Sequence, residues 1–211
     1  MGVYERFVLP RAIDWACGLR VVERQREKIV PRVRGRVLEV GSGSGLNLPH
    51  YRDTAATGIV ALEPAAEMRA LHDRRLEALR RTGFELPVES LAAGAEEIPA
   101  DDASFDTVLL TYTLCTVTQP ERALAEMRRV LRPEGRLVFC EHGAAPDARV
   151  RRWQDRVNPL WRKLAGGCHL NRDPPALLAS AGFRVEEMES CYLPGWRPAT
   201  WNTWGVAGRG G

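Results

Sequence analysis

Lysine is nearly absent from this 211-residue chain: Lys28 and Lys163 are the only two, and arginine supplies the rest of its 30 basic side chains. A GC-rich coding sequence accounts for that bias by composition alone. Excess charge is scarce too, because 27 acidic residues leave a formal charge of +3. So small an excess gives no electrostatic footprint for a nucleic-acid partner. Cysteines are few, odd in number and scattered at 17, 115, 140, 168 and 191, with no C-x-x-C pair. That spacing argues against a disulfide framework and for a reducing compartment, with the thiols acting as small core residues. No apolar run approaches the length of a membrane span. Glu5, Arg6, Arg11 and Asp14 interrupt any leader-like apolar core at the start. The expectation is a cytoplasmic protein with one large domain, and a peripheral membrane contact stays open.

What is present centres on residues 36–45, RVLEVGSGSG. Val37, Leu38 and Val40 make a short apolar run suited to a buried parallel strand. Gly41, Gly43 and Gly45 then allow a sharp turn and close approach of the backbone to a ligand. Glu39 lies inside the strand, where a carboxylate is costly unless paired, so it is expected to meet a donor at the strand end, a ligand amine among the candidates. The dinucleotide fingerprint fails because its last glycine position is Leu46, and the Gly-Lys of a phosphate loop is missing. Glu63 ends the next apolar strand, about 20 residues beyond the glycines, where an acid reaches the ribose hydroxyls of a nucleoside ligand.

The rest of the chain alternates strand and helix. Residues 3–30 form a helical cap, with Val3, Phe7, Ile13, Trp15 and Val22 on its apolar face and breaks at Pro10 and Gly18. The cap spans 1–34 and the main domain 35–211. Strands are expected at 57–62, 84–91, 105–112 and 136–140, with helices at 65–81 and 120–131. The order predicts an α/β, doubly wound, mostly parallel sheet. Ligands of such sheets sit at the carboxyl ends of the strands, where 39–45, Glu63, 94–96, 112–116 and Glu141-His142 gather. Residues 143–173 interrupt the alternation as a helical insertion over the acceptor pocket. Its helix, 149–164, carries Trp153, Val157, Leu160 and Trp161 on one side and arginines on the other. Asp173 caps a last helix with Pro174 in its first turn. Strands at 183–191 and 201–207 pair antiparallel across a short connection.

The E-x-G-x-G-x-G of 39–45, the Glu63 strand end, the loop before Ile98-Pro99, Ser104-Phe105-Asp106 and RRVLRPEGRL together resemble the class I S-adenosylmethionine-dependent methyltransferases of the quinone-methylating type. Leu114-Cys115-Thr116, Glu141-His142, Trp153-Gln154, Pro159-Leu160-Trp161 and GGCHLNRD are similar to a subgroup. It holds alkyl-thiol methyltransferases of animals and bacterial phospholipid N-methyltransferases. The resemblance implies a Rossmann-like seven-stranded sheet with its last strand antiparallel. It implies S-adenosyl-L-methionine as methyl donor and S-adenosyl-L-homocysteine as product. Carried over, Gly41, Gly43 and Gly45 line the methionine part, Glu63 binds the ribose, Ala95 or Glu96 flanks the adenine, and Thr113 and Leu114 lie beside the sulfonium. Glu39, Asn47, Pro64 and Met68 complete the expected donor site. Gly94 stands where many relatives have an Asp that contacts the adenine amine.

In-line methyl transfer needs a nucleophile held close, aligned and dry. A thiol needs only a nearby positive charge to raise its thiolate fraction. His169 and Arg172 are candidates for that charge, and His142 for a base or positioner. Hydrogen bonds to loop backbone are the structural alternative for His142 and Arg172. Cys115 is expected as a small wall residue. Cys168-His169 beside Cys140 and His142 lacks metal-ligand spacing, so no metal is assigned. The function expected is methyl transfer to a small, fairly apolar acceptor, a thiol first. The alternatives are a phospholipid amine and a donor-binding regulatory module without turnover.

Overall fold

The computed structural model describes Tyr4 and residues 8–210. Two helices, α1 (Leu9–Cys17) and α2 (Arg20–Ile29), precede the sheet. Strands β1 (Arg34–Val40), β2 (Ala55–Leu62), β3 (Val88–Leu91), β4 (Phe105–Thr111) and β5 (Leu131–His142) follow, with α3 (Ala66–Arg80) and α4 (Pro120–Val130) between them. Then come α5 (Ala148–Leu164), α6 (Pro174–Ser180), β6 (Arg184–Tyr192) and β7 (Trp201–Gly208). The seven strands lie in the order β3-β2-β1-β4-β5-β7-β6. β7 runs antiparallel to both neighbours, and the remaining pairs are parallel.

The central strands are apolar at consecutive positions because both faces are covered. On one face Leu38, Val108, Leu110 and Phe139 pack with Leu124 and Met127 of α4 and Leu178 of α6. On the other, Val37, Leu109 and Val138 pack with Ile29, Val30 and Trp204. Chain order reverses at β1, which lies between β2 and β4. Val40 stands beside Leu62 and Leu110, so three strand ends open into one crevice, as the topology of such sheets directs.

Several expected bounds shift. Val3 and Phe7 of the expected cap helix lie outside the described residues. β3 starts at Val88 rather than 84. Pro87 has no N–H to give a neighbouring strand, and only its carbonyl pairs, accepting from Ile59 N at 2.8 Å. β5 begins at Leu131 rather than 136, opposite Phe105, and a register shift between Phe105 and Thr107 accommodates Pro133-Glu134-Gly135. The helix at 149–164 is present, but its inward side is polar. Gln154 is fully buried, with Nε2 2.9 Å from the carbonyl oxygens of Gly143, Leu170 and Pro198. Asn158 Oδ1 accepts from Leu170 N at 2.9 Å. Trp153 and Leu160, of the expected apolar side, are 51% and 63% exposed. The Asp173 side chain caps α6 by accepting from Ala176 N at 3.1 Å.

Candidate active site

A cavity of about 420 Å³ occupies the crevice, within the usual range for small-molecule sites. Its floor is the glycine turn. Gly41 N and Ser42 N both donate to Leu62 O, at 2.9 and 3.1 Å, which ties the turn to the end of β2. Gly41 has φ +67°, and a Cβ there would run into the Thr113 side chain. This position requires glycine for both conformation and space.

Glu63 enters from the end of β2. Its Oε2 accepts from Gly43 N at 3.1 Å and its Oε1 from Ala65 N at 2.9 Å. Burial pushes this carboxyl above its ordinary range, although the two amides pull against it. Pro64, Met68, Ala95 and Glu96 line the same side. Glu96 Oε1 accepts from Thr118 N at 3.0 Å and Gln119 N at 3.3 Å, so its carboxylate holds the segment leading into α4.

The wall opposite is a tight turn after β4. Tyr112 adopts φ +54°, a conformation that costs a non-glycine residue about 1–3 kcal/mol. Thr113 N and Leu114 N then both donate to Glu141 Oε1, at 2.7 and 3.2 Å. Burial raises the Glu141 carboxyl to about 7 despite those amides.

α1 and α2 roof the cavity. Leu9, Pro10, Ile13 and Cys17 contribute apolar surface. Asp14 Oδ1 accepts from Ser44 Oγ at 2.5 Å and from Arg75 Nη2 at 3.1 Å, pinning α1 to the glycine turn. Arg26 of α2 also lines the cavity, yet is only 5% exposed. Its Nη1 donates to Cys17 O at 3.1 Å, its Nε has no partner among the described residues, and its guanidinium stands 5.4 Å from the Tyr112 ring centroid. Asn47 donates through Nδ2 to Glu39 and Thr111, both at 2.9 Å, and leaves its buried Oδ1 unpartnered in the cavity wall.

Of the residues expected here, Gly41, Gly43, Asn47, Glu63, Pro64, Met68, Ala95, Glu96 and Thr113 line the cavity. Six do not. Glu39 points into the protein, accepting from Asn47 and from Tyr51 OH at 2.8 Å. It anchors the loop instead of meeting a ligand amine. Gly45 is a packing glycine, where a Cβ would come 2.8 Å from Leu48 and 2.9 Å from His72. The Leu114 side chain is fully buried in the core. Arg172 is used on backbone, donating to Leu114 O and, at 2.6 Å, to Val117 O. His169 N donates to Cys115 O at 2.8 Å, and burial, with Arg172 and Arg162 nearby, lowers the proton affinity of its ring. His142 stands behind the cavity wall, its Nε2 3.2 Å from Cys168 Sγ. Hydrogen bonding from Cys115 and from His142 pulls the Cys168 thiol well down. The sequence reading missed Arg26. Its signal was the spacing Val22, Arg26, Ile29, which puts a cation on the apolar face of an amphipathic helix.

A protein-family model described as a methyltransferase domain matches residues 38–139. Thiol S-methyltransferase TMT1B of Homo sapiens is 30% identical over 81% of this chain and 72% of its own length. Phosphatidylethanolamine N-methyltransferase of Cereibacter sphaeroides is 35% identical over 67% of this chain and 66% of its own length. A solved structure of geranyl diphosphate methyltransferase in complex with SAM shares the fold at TM-score 0.68 and 14% identity, over 90% of this chain and 86% of that one.

Proposed function

This chain belongs to the class I S-adenosylmethionine-dependent methyltransferases, and from that premise we propose that it methylates a small, apolar thiol. S-adenosylmethionine supplies a methyl carbon made electrophilic by the positive sulfur that carries it. The donor also presents a carboxylate, an ammonium group and a ribose diol, and the cavity offers a complement to each. Arg26 has an unpartnered guanidinium nitrogen for the carboxylate, and Asn47 an unpartnered amide oxygen for the ammonium. The Glu63 carboxylate, fixed by two backbone amides, suits the diol. Met68 and Ala95 give apolar surface for the base. The residues present therefore fit the donor.

The observation that carries the thiol is an apolar roof over a cavity that offers no histidine among the described residues and whose Glu63 and Glu96 carboxylates are held by backbone amides. Leu9, Pro10 and Ile13 face the cavity, and no histidine lines it among the described residues. The roof carboxylate Asp14 is already held by Ser44 and Arg75. A hydroxyl acceptor would need its proton removed during transfer, whereas a thiol with pKa about 8.5 ionises in part unaided. The relative named as a thiol S-methyltransferase supports the same reading. The chain's contribution is then to align the two reactants and exclude water, and we place it in the cytoplasm. A tritiated-methyl assay over thiols, amines, phenols and phospholipids tests this. Turnover of thiols with release of S-adenosylhomocysteine is expected. Turnover confined to another class overturns the acceptor assignment.

One observation favours phospholipid amine as the second reading. α5 exposes Trp153, Leu160 and Leu164 together with Arg149, Arg152 and Arg156, and Trp15 of α1 is 71% exposed. Aromatic and arginine side chains on one surface suit an anionic bilayer. No helix among the described residues is long and apolar enough to cross a membrane. Co-sedimentation with phosphatidylglycerol vesicles, joined to methylation of phosphatidylethanolamine in them, would favour this reading over the thiol.

A further inference from the structure

Cys115, His142 and Cys168 come from three separate parts of the chain: the turn after β4, the end of β5 and the segment following α5. Their ligand atoms all lie within 4.8 Å of one another, and Cys115 and Cys168 are free thiols. None of the three side chains lines the cavity itself, but Thr113 and Thr116, on either side of Cys115, and Gly166, two residues before Cys168, do, so the cluster adjoins the cavity wall from behind. Two buried polar atoms at the cluster have no hydrogen-bond partner among the described residues: His142 Nδ1 and, beside it, Glu141 Oε2. The donor site described above uses none of the three cysteine and histidine side chains.

Two sulfurs and an imidazole are the donor set that zinc and other thiolate-preferring ions select over magnesium or calcium. At zinc's bond lengths, ligand atoms around one tetrahedral ion stand roughly 3.5–3.8 Å apart. The Cys168–His142 contact is 3.2 Å, and the remaining separations are under 4.8 Å, so small side-chain adjustments close the set around an ion. Four protein ligands are the rule for a purely structural zinc, and three with an open position for a reactive one.

We infer that Cys115, His142 and Cys168 bind a thiolate-preferring divalent ion, zinc first, whose fourth position takes the sulfur of the acceptor. The inference rests on the thiol reading and gives that thiol its activation. On ligating the ion the acceptor thiol loses its proton to solvent and is held as thiolate. A sulfur lone pair then forms the bond to the methyl carbon. The bond from that carbon to the donor's positive sulfur breaks, its electron pair staying on that sulfur. A neutral thioether and neutral S-adenosylhomocysteine result, and the thioether, a weaker ligand, leaves.

The test uses the full chain, purified under reducing conditions and loaded with Zn²⁺ or Co²⁺. One equivalent of metal is expected to survive desalting, to be lost in Cys115→Ser and Cys168→Ser, and to be kept in Cys191→Ser. The cobalt form should show thiolate-to-cobalt charge-transfer bands that shift when a small alkyl thiol is added without donor. Metal should also shield Cys168 of the unmodified chain from iodoacetamide, a readout that survives if either variant fails to fold. Absence of bound metal, or metal content unchanged in both serine variants, overturns the inference. Cobalt bands indifferent to the thiol overturn its open position. Chelator-stripped protein that methylates a thiol at full rate sinks the inference and leaves the thiol reading standing. Thiol-sensitive cobalt bands in a protein that methylates only amines sink the reading and leave the metal site standing.

Discussion

The two sides of the cavity are built in different ways. The donor side has a local core: the glycine turn, Glu63 and Met68 lie within 30 residues of one another, and the bond that joins turn to carboxylate, Gly43 N to Glu63, spans 20 positions; Arg26 and Ala95 join that core from farther away in the chain. The covering side is assembled over long distances. Arg172 reaches Leu114 across 58 positions, and Ser44 meets Asp14 of α1 across 30. A donor site that one strand, one turn and the next strand end can make leaves a compact signature in sequence. A covering side assembled from distant segments leaves none, so the donor is chemically legible and the acceptor must be argued from geometry.

The comparison breaks most sharply at Gly41. Gly41→Ala puts a Cβ against Thr113 in a left-handed backbone. Strain of about 1–2 kcal/mol plus the steric clash gives donor binding weaker on the order of 100-fold. Calorimetry with S-adenosylhomocysteine measures this, with far-UV circular dichroism to check the fold. An unchanged affinity would mean that the turn is not the cradle. Glu63→Gln comes next, at about 10–100-fold, the range for losing hydrogen bonds to a charged group. Its pH profile is the finer readout. Burial holds the Glu63 carboxyl above its ordinary range, and the ionised form is the one that accepts from two hydroxyls. Donor affinity should be full at neutral pH and fall with acidification, starting above the usual carboxylate value of about 4.3. In Glu63→Gln the slope should vanish, and a slope that persists assigns it to another group.

On the covering side the effect should be smaller and of another kind. Arg172→Leu frees the carbonyls of Leu114 and Val117 from their clamp. The turn beside Cys115 loosens while the glycine turn is untouched. The acceptor KM should rise about tenfold, in line with the loss of charge-assisted hydrogen bonds, with donor affinity unchanged. A matching loss of donor affinity would show that the two sides are not separable.

The same contrast explains what the sequence showed of each part. β1, the glycine turn and β4 were readable because uninterrupted apolar runs mark strands covered on both faces. The place of α5 in the chain was readable, but the side it buries was not. Gln154 and Asn158 face inward because the loop backbone around Gly143, Leu170 and Pro198 needs donors and acceptors there, and periodicity weighs apolar side chains alone. Glu39 looked like a ligand contact because a strand-end acid needs a donor, but Asn47 and Tyr51, 8 and 12 residues on, satisfy it first. His142 suggests itself by its place at a strand end, and His169 and Arg172 by their place in the insertion expected over the pocket. Which of them reach the cavity depends on side-chain directions that only the folded loops fix. Arg26 escaped notice because charged residues are seldom fully buried without a partner.

The smallest effect belongs to a residue at the far end of the sheet, and it controls for the rest. Asp106 opens β4 at its amino end, away from the cavity. Its Oδ2 accepts from Arg36 N at 2.8 Å and its Oδ1 from Arg132. Slight burial pushes this carboxyl up, but the Arg36 amide and the Arg132 guanidinium outweigh it and hold it below its ordinary range. A depressed folded pKa stabilises the fold fully above the unfolded value of about 3.9, and the gain is lost as pH falls through the folded one. Because the pair is partly solvent-screened, Asp106→Asn should cost about 0.5–1 kcal/mol at pH 7. Urea unfolding should show the gap to the parent closing as the pH drops below that unfolded value. A gap that stays constant with pH would assign the loss to packing against Gly35, whose Cβ position the Asp106 side chain occupies. Donor affinity and acceptor KM should not move in this variant. If either does, the sheet transmits strain from one end to the other, and the division of the cavity into a local donor side and a distant covering side fails with it.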